Sequence, residues 1–184
     1  MKNLEEQILQ VVINQSFHWD EKLIEVICNE LDLTEEKFTI IFPRGIENLA
    51  DYFFEMVDND MLSIVNEEFH KLPIHLQVAK FLLSRFKFLN EKKDVALKVL
   101  NMKCCLTYQL SHVAKTADLI WNNINHKSSG FDYYTRRIIL AGIYSNCLLH
   151  FKKDLSAEDM EKYIKNQLKI VGKITQIKKK IYKN

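Results

Sequence analysis

Residues 20–42 run DEKLIEVICNELDLTEEKFTIIF, a stretch with two helix starts and one helical apolar period. Asp20 offers the short side-chain acceptor of a helix N-cap. Behind it Leu23, Ile24, Ile27, Cys28 and Leu31 recur at three- and four-residue steps, the period of a helix with one buried face. Thr34 is a second cap and opens a short helix that ends near Phe42, because Pro43 excludes the α conformation for the residue before it. Upstream, Leu4, Ile8, Val11 and Val12 share a face of another helix over 4–14. Three short helices in the first 42 residues, with turns near 17–20 and 32–34, have the spacing of a helix-turn-helix head.

The same period continues outward. After Gly45 a long segment carries Leu49, Tyr52, Phe53, Met56, Ile64, Val65, Phe69 and Leu72 and stops at Pro73. Further helices are expected over 75–89, around 95–100, over 106–124 and over 131–151. Ser156 and Asp159 form a capping-box variant ahead of an amphipathic C-terminal helix. There are two prolines and four glycines in 184 residues, too few breaks for a turn-rich β architecture. No alternating strand pattern and no internal repeat occurs, so the class is all-α. The chain is long enough to bury one sizeable core. The expected division is a single domain over 1–184, with a head over 1–45, a helical body over 46–155 and a basic helix over 156–184.

Composition narrows the function. No run of about 18 apolar residues is present, so no helix is expected to span a bilayer. Residues 1–12 lack a signal-peptide or transit pattern, which leads to the expectation of a cytoplasmic protein. Cys28, Cys104, Cys105 and Cys147 have no C-x-x-C spacing and read as reduced and mostly buried. Net charge is +2, yet residues 1–164 hold 19 basic against 24 acidic side chains, while 165–184 hold seven lysines and no acid. Leu168, Val171, Ile174, Ile177 and Ile181 recur along that segment. Two readings fit it. It lies in a membrane interface, with Lys169, Lys173, Ile174, Ile177, Lys178 and Ile181 as the contacting residues, or it packs on the body with its lysines solvated.

DNA recognition is poorly served. The second helix of the motif opens with Thr34, Glu35, Glu36 and Lys37, so two carboxylates would face the phosphates. Residues 1–42 contain only Lys2, Lys22 and Lys37 as cations. Catalysis finds little support either. A di-iron bundle needs two Glu-x-x-His motifs, and Glu67–His70 is the single instance. No phosphate loop, H-E-x-x-H or nucleophile elbow is present, and no metal or cofactor is expected.

Three segments carry a resemblance. They are Asp118 to Trp121; Ser128-Ser129-Gly130-Phe131-Asp132-Tyr133-Tyr134-Thr135-Arg136-Arg137; and Leu140-Ala141-Gly142-Ile143-Tyr144. Together they resemble the ninth ubiquinone-biosynthesis (Coq) protein family of mitochondria and α-proteobacteria, and Phe42-Pro43-Arg44-Gly45 adds to the likeness. Gly130 stands where the family has aspartate, Asp132-Tyr133 where it has Asn-Trp, and Glu161 where a tryptophan is usual.

The resemblance implies a TetR-like homodimer that is no enzyme and has exchanged regulation for lipid handling. It would sit peripherally on the inner membrane and present an isoprenoid, phospholipid or quinone-like ligand to a membrane-associated di-iron hydroxylase. In that picture Phe81, Leu82, Phe86, Ile138 and Leu148 line the lipid site, and Ile120, Trp121, Tyr133, Tyr134 and Arg137 form the partner surface. The residues themselves leave a filled core and buried aromatics as alternatives. Rival functions are a ligand-responsive transcriptional regulator, an enzyme with an unrecognised site, and a scaffold that holds no lipid.

Overall fold

The structure, a computed structural model, describes residues 4–14, 19–20, 22–102, 106–124, 131–153 and 156–181, with side chains for all of these except 106, 107, 131 and 171–181. Among the described residues every regular element is an α-helix, which bears out the all-α expectation. The chain forms two compact units, one of residues 1–59 with 88–104, the other of 60–87 with 105–184. The boundaries between the units all fall within 46–155, and residues 1–45 lie whole in the first unit.

The first unit opens with α1 (Leu4–Asn14), α2 (Lys22–Leu31) and α3 (Glu35–Ile41). Both expected caps are made: the Lys22 amide donates to Asp20 Oδ1 at 3.1 Å, and the Lys37 amide to Thr34 Oγ1 at 3.3 Å. Asp32 closes α2 in the left-handed region, at φ 49°. That conformation returns the Leu33 amide to the Cys28 carbonyl at 2.9 Å, and a short polar side chain tolerates it. Of the stripes read from sequence, Ile8, Val12, Leu23, Ile27 and Cys28 are buried, as is Phe38 of α3, whereas Leu4, Val11, Ile24 and Leu31 are half-buried. Gly45 (φ 57°) turns the chain out of α3 into α4 (Ile46–Leu62). The unit is completed by α7 (Lys93–Leu100), which buries Val95, Ala96 and Val99.

The long segment expected up to Pro73 is broken. α4 stops at Leu62, where Ser63 Oγ bonds back to the Asp60 carbonyl. Asn66 then caps a separate α5 (Glu67–Lys71) by accepting from the Phe69 amide at 2.8 Å. A side-chain acceptor in the right place competes with continuing the helix, and the apolar period alone does not reveal that competition. Glu67 and His70 are both exposed on α5.

The second unit holds most of α6 (Ile74–Glu91), then α8 (Leu106–Asn122), α9 (Phe131–Phe151) and α10 (Ala157–Ile181). α9 packs along α8 and along α10. The start of α10 is the expected reciprocal cap, with the Asp159 amide donating to Ser156 Oγ at 3.1 Å and that hydroxyl donating to Asp159 Oδ2 at 2.7 Å. α10 is anchored by Met160 (5% exposed) and Ile164 (0%), and by His150 of α9 stacked flat on Tyr163, ring centroids 3.7 Å apart. No helix among the described residues is long and apolar enough to cross a membrane.

Candidate functional site

The corner where α8 ends and α9 begins is cross-linked by several side-chain bonds. Asp118 and Arg137, nineteen positions apart in sequence, meet with Nε donating to Oδ1 at 2.6 Å, so α8 and α9 run antiparallel. The Arg137 guanidinium lies 3.4 Å over the Tyr133 ring. It also donates through Nη2 to Asn122 Oδ1 at 2.7 Å and through Nη1 to the Tyr133 carbonyl at 3.3 Å. A planar, forked cation is suited to satisfying several acceptors while stacking on a ring. Here it staples the two helices. Its neighbour Arg136 sits 5.4 Å from the Trp121 ring and bonds Asp132 at 2.7 Å. The Trp121 indole N–H donates to the Arg136 carbonyl at 3.1 Å. Trp121 and Tyr133 are both half-buried, the first held by its indole bond to the Arg136 carbonyl and the second by the guanidinium over its ring.

The five residues expected to meet a partner separate under this geometry. Ile120 is fully buried and so takes no part in the surface. Trp121, Tyr133 and Arg137 form its rigid base. Tyr134, perpendicular to Tyr133 at 5.1 Å, stands 66% exposed. One turn further along α9, Ile138 is 71% exposed. Sequence reasoning assigned Ile138 to a lipid-lining set, but it faces solvent and extends the Tyr134 surface. The i, i+4 spacing of the two residues already placed them on one helix face, so that signal was available.

Of the other residues expected around a lipid, Phe81, Leu82 and Phe86 are buried and Leu148 is half-buried. Phe81 packs on Phe69 at 4.7 Å, and Phe86 on Tyr144 and Phe151 at 5.9 and 5.8 Å. Within these rings lies a charge that sequence reasoning missed. Arg85 is 1% exposed, donates Nε to the Tyr144 hydroxyl at 2.7 Å and lies 5.2 Å from that ring. Gln77, two turns before Arg85 on α6 and 3% exposed, donates to the Leu72 carbonyl at 2.7 Å. Its Oε1 has no hydrogen-bond partner among the described residues. The interior of this unit is thus apolar, with a polar line along α6.

Cys28 and Cys147 are buried and free. Burial pushes the Cys147 thiol up to about 12; burial, followed by the nearby Glu35 charge, raises that of Cys28. Cys104 and Cys105, and the loop 126–130, lie outside the described residues. So do the side chains of Lys173, Ile174, Ile177, Lys178 and Ile181, whereas Lys169 is exposed on α10.

No curated protein and no solved structure matches the chain. The COQ9 family model matches residues 106–175, which take in α8, α9 and α10 as far as Thr175 and leave the Phe42-Pro43-Arg44-Gly45 segment outside. Through the helices that build the Trp121–Arg137 corner, the chain resembles the COQ9 family of ubiquinone-biosynthesis accessory proteins.

Proposed function

We propose that this chain is a non-catalytic accessory protein of ubiquinone biosynthesis that binds an isoprenoid or quinone-like lipid and presents it to a membrane-associated di-iron hydroxylase. The observation that carries the reading is the coincidence of the COQ9 match with the corner of α8 and α9. There an exposed aromatic and an exposed aliphatic residue, Tyr134 and Ile138, rise from a base fixed by Trp121, Arg136 and Arg137. A preorganised base with a protruding aromatic is how protein contact sites concentrate binding energy. Buried Phe81, Leu82 and Phe86 supply the apolar surroundings for a prenyl chain. Arg85, Tyr144 and Gln77 supply donors and an acceptor for an oxygenated ring. The lysine-rich end of α10 supplies attraction to anionic lipid, and a homodimer sitting peripherally on the inner membrane is the working assembly. No covalent step is assigned to the chain. Glu35 and Glu36, both exposed in the first turn of α3, weigh against the alternative of a DNA-binding regulator.

The test is mass spectrometry of an organic extract from detergent-free purified protein. Isoprenoid, quinone or phospholipid in stoichiometric amount is the expected result. An empty extract from folded protein overturns the lipid reading and leaves a scaffold, whose partner surface Tyr134→Ala would then probe.

A further inference from the structure

The first unit contains a cleft of about 1340 Å³ that the lipid reading does not use. α7 lines it with one face, Asp94, Leu97, Lys98 and Asn101, which are neighbours at three- and four-residue steps on a helix surface. Two turns of helix make a wall roughly 10 Å long. The rest comes from the chain around the starts of α2, α3 and α4. Ile24, Ile46 and Leu97 reach the cleft half-buried, and Trp19 and Met102 line it from buried positions. The carboxylates are placed differently. Asp20, Glu25, Glu35 and Asp94 are all solvent-exposed, so the cleft has apolar walls and an acidic mouth.

Glu25, Glu35, Glu47 and Asp94 each lie in the first turn of a helix, where the helix dipole favours an anion. Helix chemistry accounts for each acid singly, but it does not neutralise the group. The dipole supplies roughly half a charge per helix start, and Glu25, Glu35 and Asp94 form no ion pair among the described residues. Of the three cations in the lining, Arg44 is committed to Asp51. The surrounding unit adds to the same field, with 8 basic and 15 acidic side chains, net −7. The size points to a length of chain as occupant. The volume exceeds the roughly 300–1,000 Å³ of ordinary small-molecule sites, and one wall runs for two helical turns.

From this complementarity we infer that the cleft along α7 and at the starts of α2, α3 and α4 is a docking groove for a basic amphipathic helix of a partner protein. The apolar side chains of such a helix, at three- and four-residue steps, enter the groove and replace water over Ile24, Ile46 and Leu97. Its lysines or arginines meet Glu25, Glu35 and Asp94 at the mouth, where opposite charge speeds encounter and fixes register. The groove shares no residue with the Trp121–Arg137 corner or with the residues proposed to meet lipid. It therefore stands or falls independently of the lipid reading.

Fluorescence anisotropy with the full chain tests it at about 100 mM salt, where charges act over about 10 Å. The probe is a labelled synthetic peptide of leucine and lysine, about 15 residues long, with its leucines on one helical face. The wild-type chain is expected to bind it, and to bind a peptide of the same composition with dispersed leucines about tenfold more weakly or worse. Glu25→Lys with Asp94→Lys is expected to weaken binding of the first peptide by about tenfold or more. Glu55→Lys with Glu91→Lys, at exposed acids of the same unit outside the cleft, changes net charge equally. That variant is expected to weaken binding by no more than about twofold, through the screened field alone. Circular dichroism establishes that each variant is folded. Four results overturn the inference. They are no binding by the wild-type chain, equal binding of the two peptides, equal loss in the two charge-reversed variants, or markedly tighter binding by Lys173→Glu with Lys178→Glu. The last would make this chain's own lysine-rich tail the occupant.

Discussion

At the scale of single residues the second unit is defined by what it does with arginine. Arg137 converts the α8–α9 crossing into a bonded joint, whereas Arg85 is taken into the interior and meets the Tyr144 hydroxyl. A buried guanidinium deprived of an acceptor bears the cost of its own desolvation. Tyr144→Phe is therefore expected to lower stability by about 1–3 kcal/mol in urea unfolding, although it removes one exposed-to-nothing oxygen and no carbon. A loss below a few tenths of a kcal/mol would mean that the pair contributes nothing net. Cys147 makes a different prediction. Its folded thiol titrates near 12, above the ordinary value of 9.0. The unfolded chain thus loses that proton first, and stability falls as pH rises through the interval between those values. Below pH 9 Cys147 has no effect on the pH dependence. Alkylation at pH 8 should leave it unmodified until denaturant is added, and rapid labelling of the native protein would contradict its burial.

At the scale of elements, caps decide where helices begin, and contacts decide which of them hold function. Thr34 and Asn66 each satisfy an otherwise unpaired amide of a short helix, so alanine at either position should cost about 1 kcal/mol. At the α8–α9 corner, two substitutions separate the base from the surface it supports. Trp121→Phe removes the indole bond to the Arg136 carbonyl and is expected to lower stability by roughly 0.5–1.5 kcal/mol. Tyr134→Ala, at a side chain that is largely solvated, should change stability by no more than about 0.5 kcal/mol while weakening capture of the proposed hydroxylase partner in a co-purification. If Tyr134→Ala unfolds the corner instead, as read by its melting temperature, Tyr134 is structural and the proposed contact surface is lost. The helices over 4–14 and 22–31 were legible because an apolar stripe marks one face, whereas 131–151 was legible as a helix but not in its facing, because apolar residues such as Ile138, Ile139 and Leu149 also lie on its exposed side. The break between α4 and α5 was not legible, because Ile64 and Val65 keep the apolar period running across residues whose backbone has left the helix.

At the scale of the molecule the governing fact is the separation of charge, with an acidic first unit and a basic second one. It predicts where polyanions bind. Retention of the chain on heparin, a generic polyanion, should follow the C-terminal lysines. Lys173→Glu with Lys178→Glu is expected to shift elution to markedly lower salt, and Lys37→Ala in α3 to leave it unchanged. An effect of Lys37 equal to that of the tail would return the head to consideration as a nucleic-acid surface. The same separation explains why a net charge of +2 is a poor guide here. It is the small remainder of two large opposite terms, and each term acts within a screening length of about 8 Å at physiological salt.

Local chemistry let the sequence by itself determine the helical class, the caps at Asp20, Thr34 and Ser156, and the three-helix head, since each depends on residues within a turn or two of one another. It also determined the resemblance, because Trp121, Asp118 and the 128–137 segment lie in a contiguous motif that the COQ9 match covers. Only the tertiary structure decided which side of a helix faces what. Ile138 turned outward and Ile120 inward; Arg85 found Tyr144 across 59 positions of sequence; and the carboxylates of α2, α3, α4 and α7 came to share one cleft. Periodicity fixes a helix face without naming its neighbour, and burial, ion pairing and clefts are properties of the neighbour.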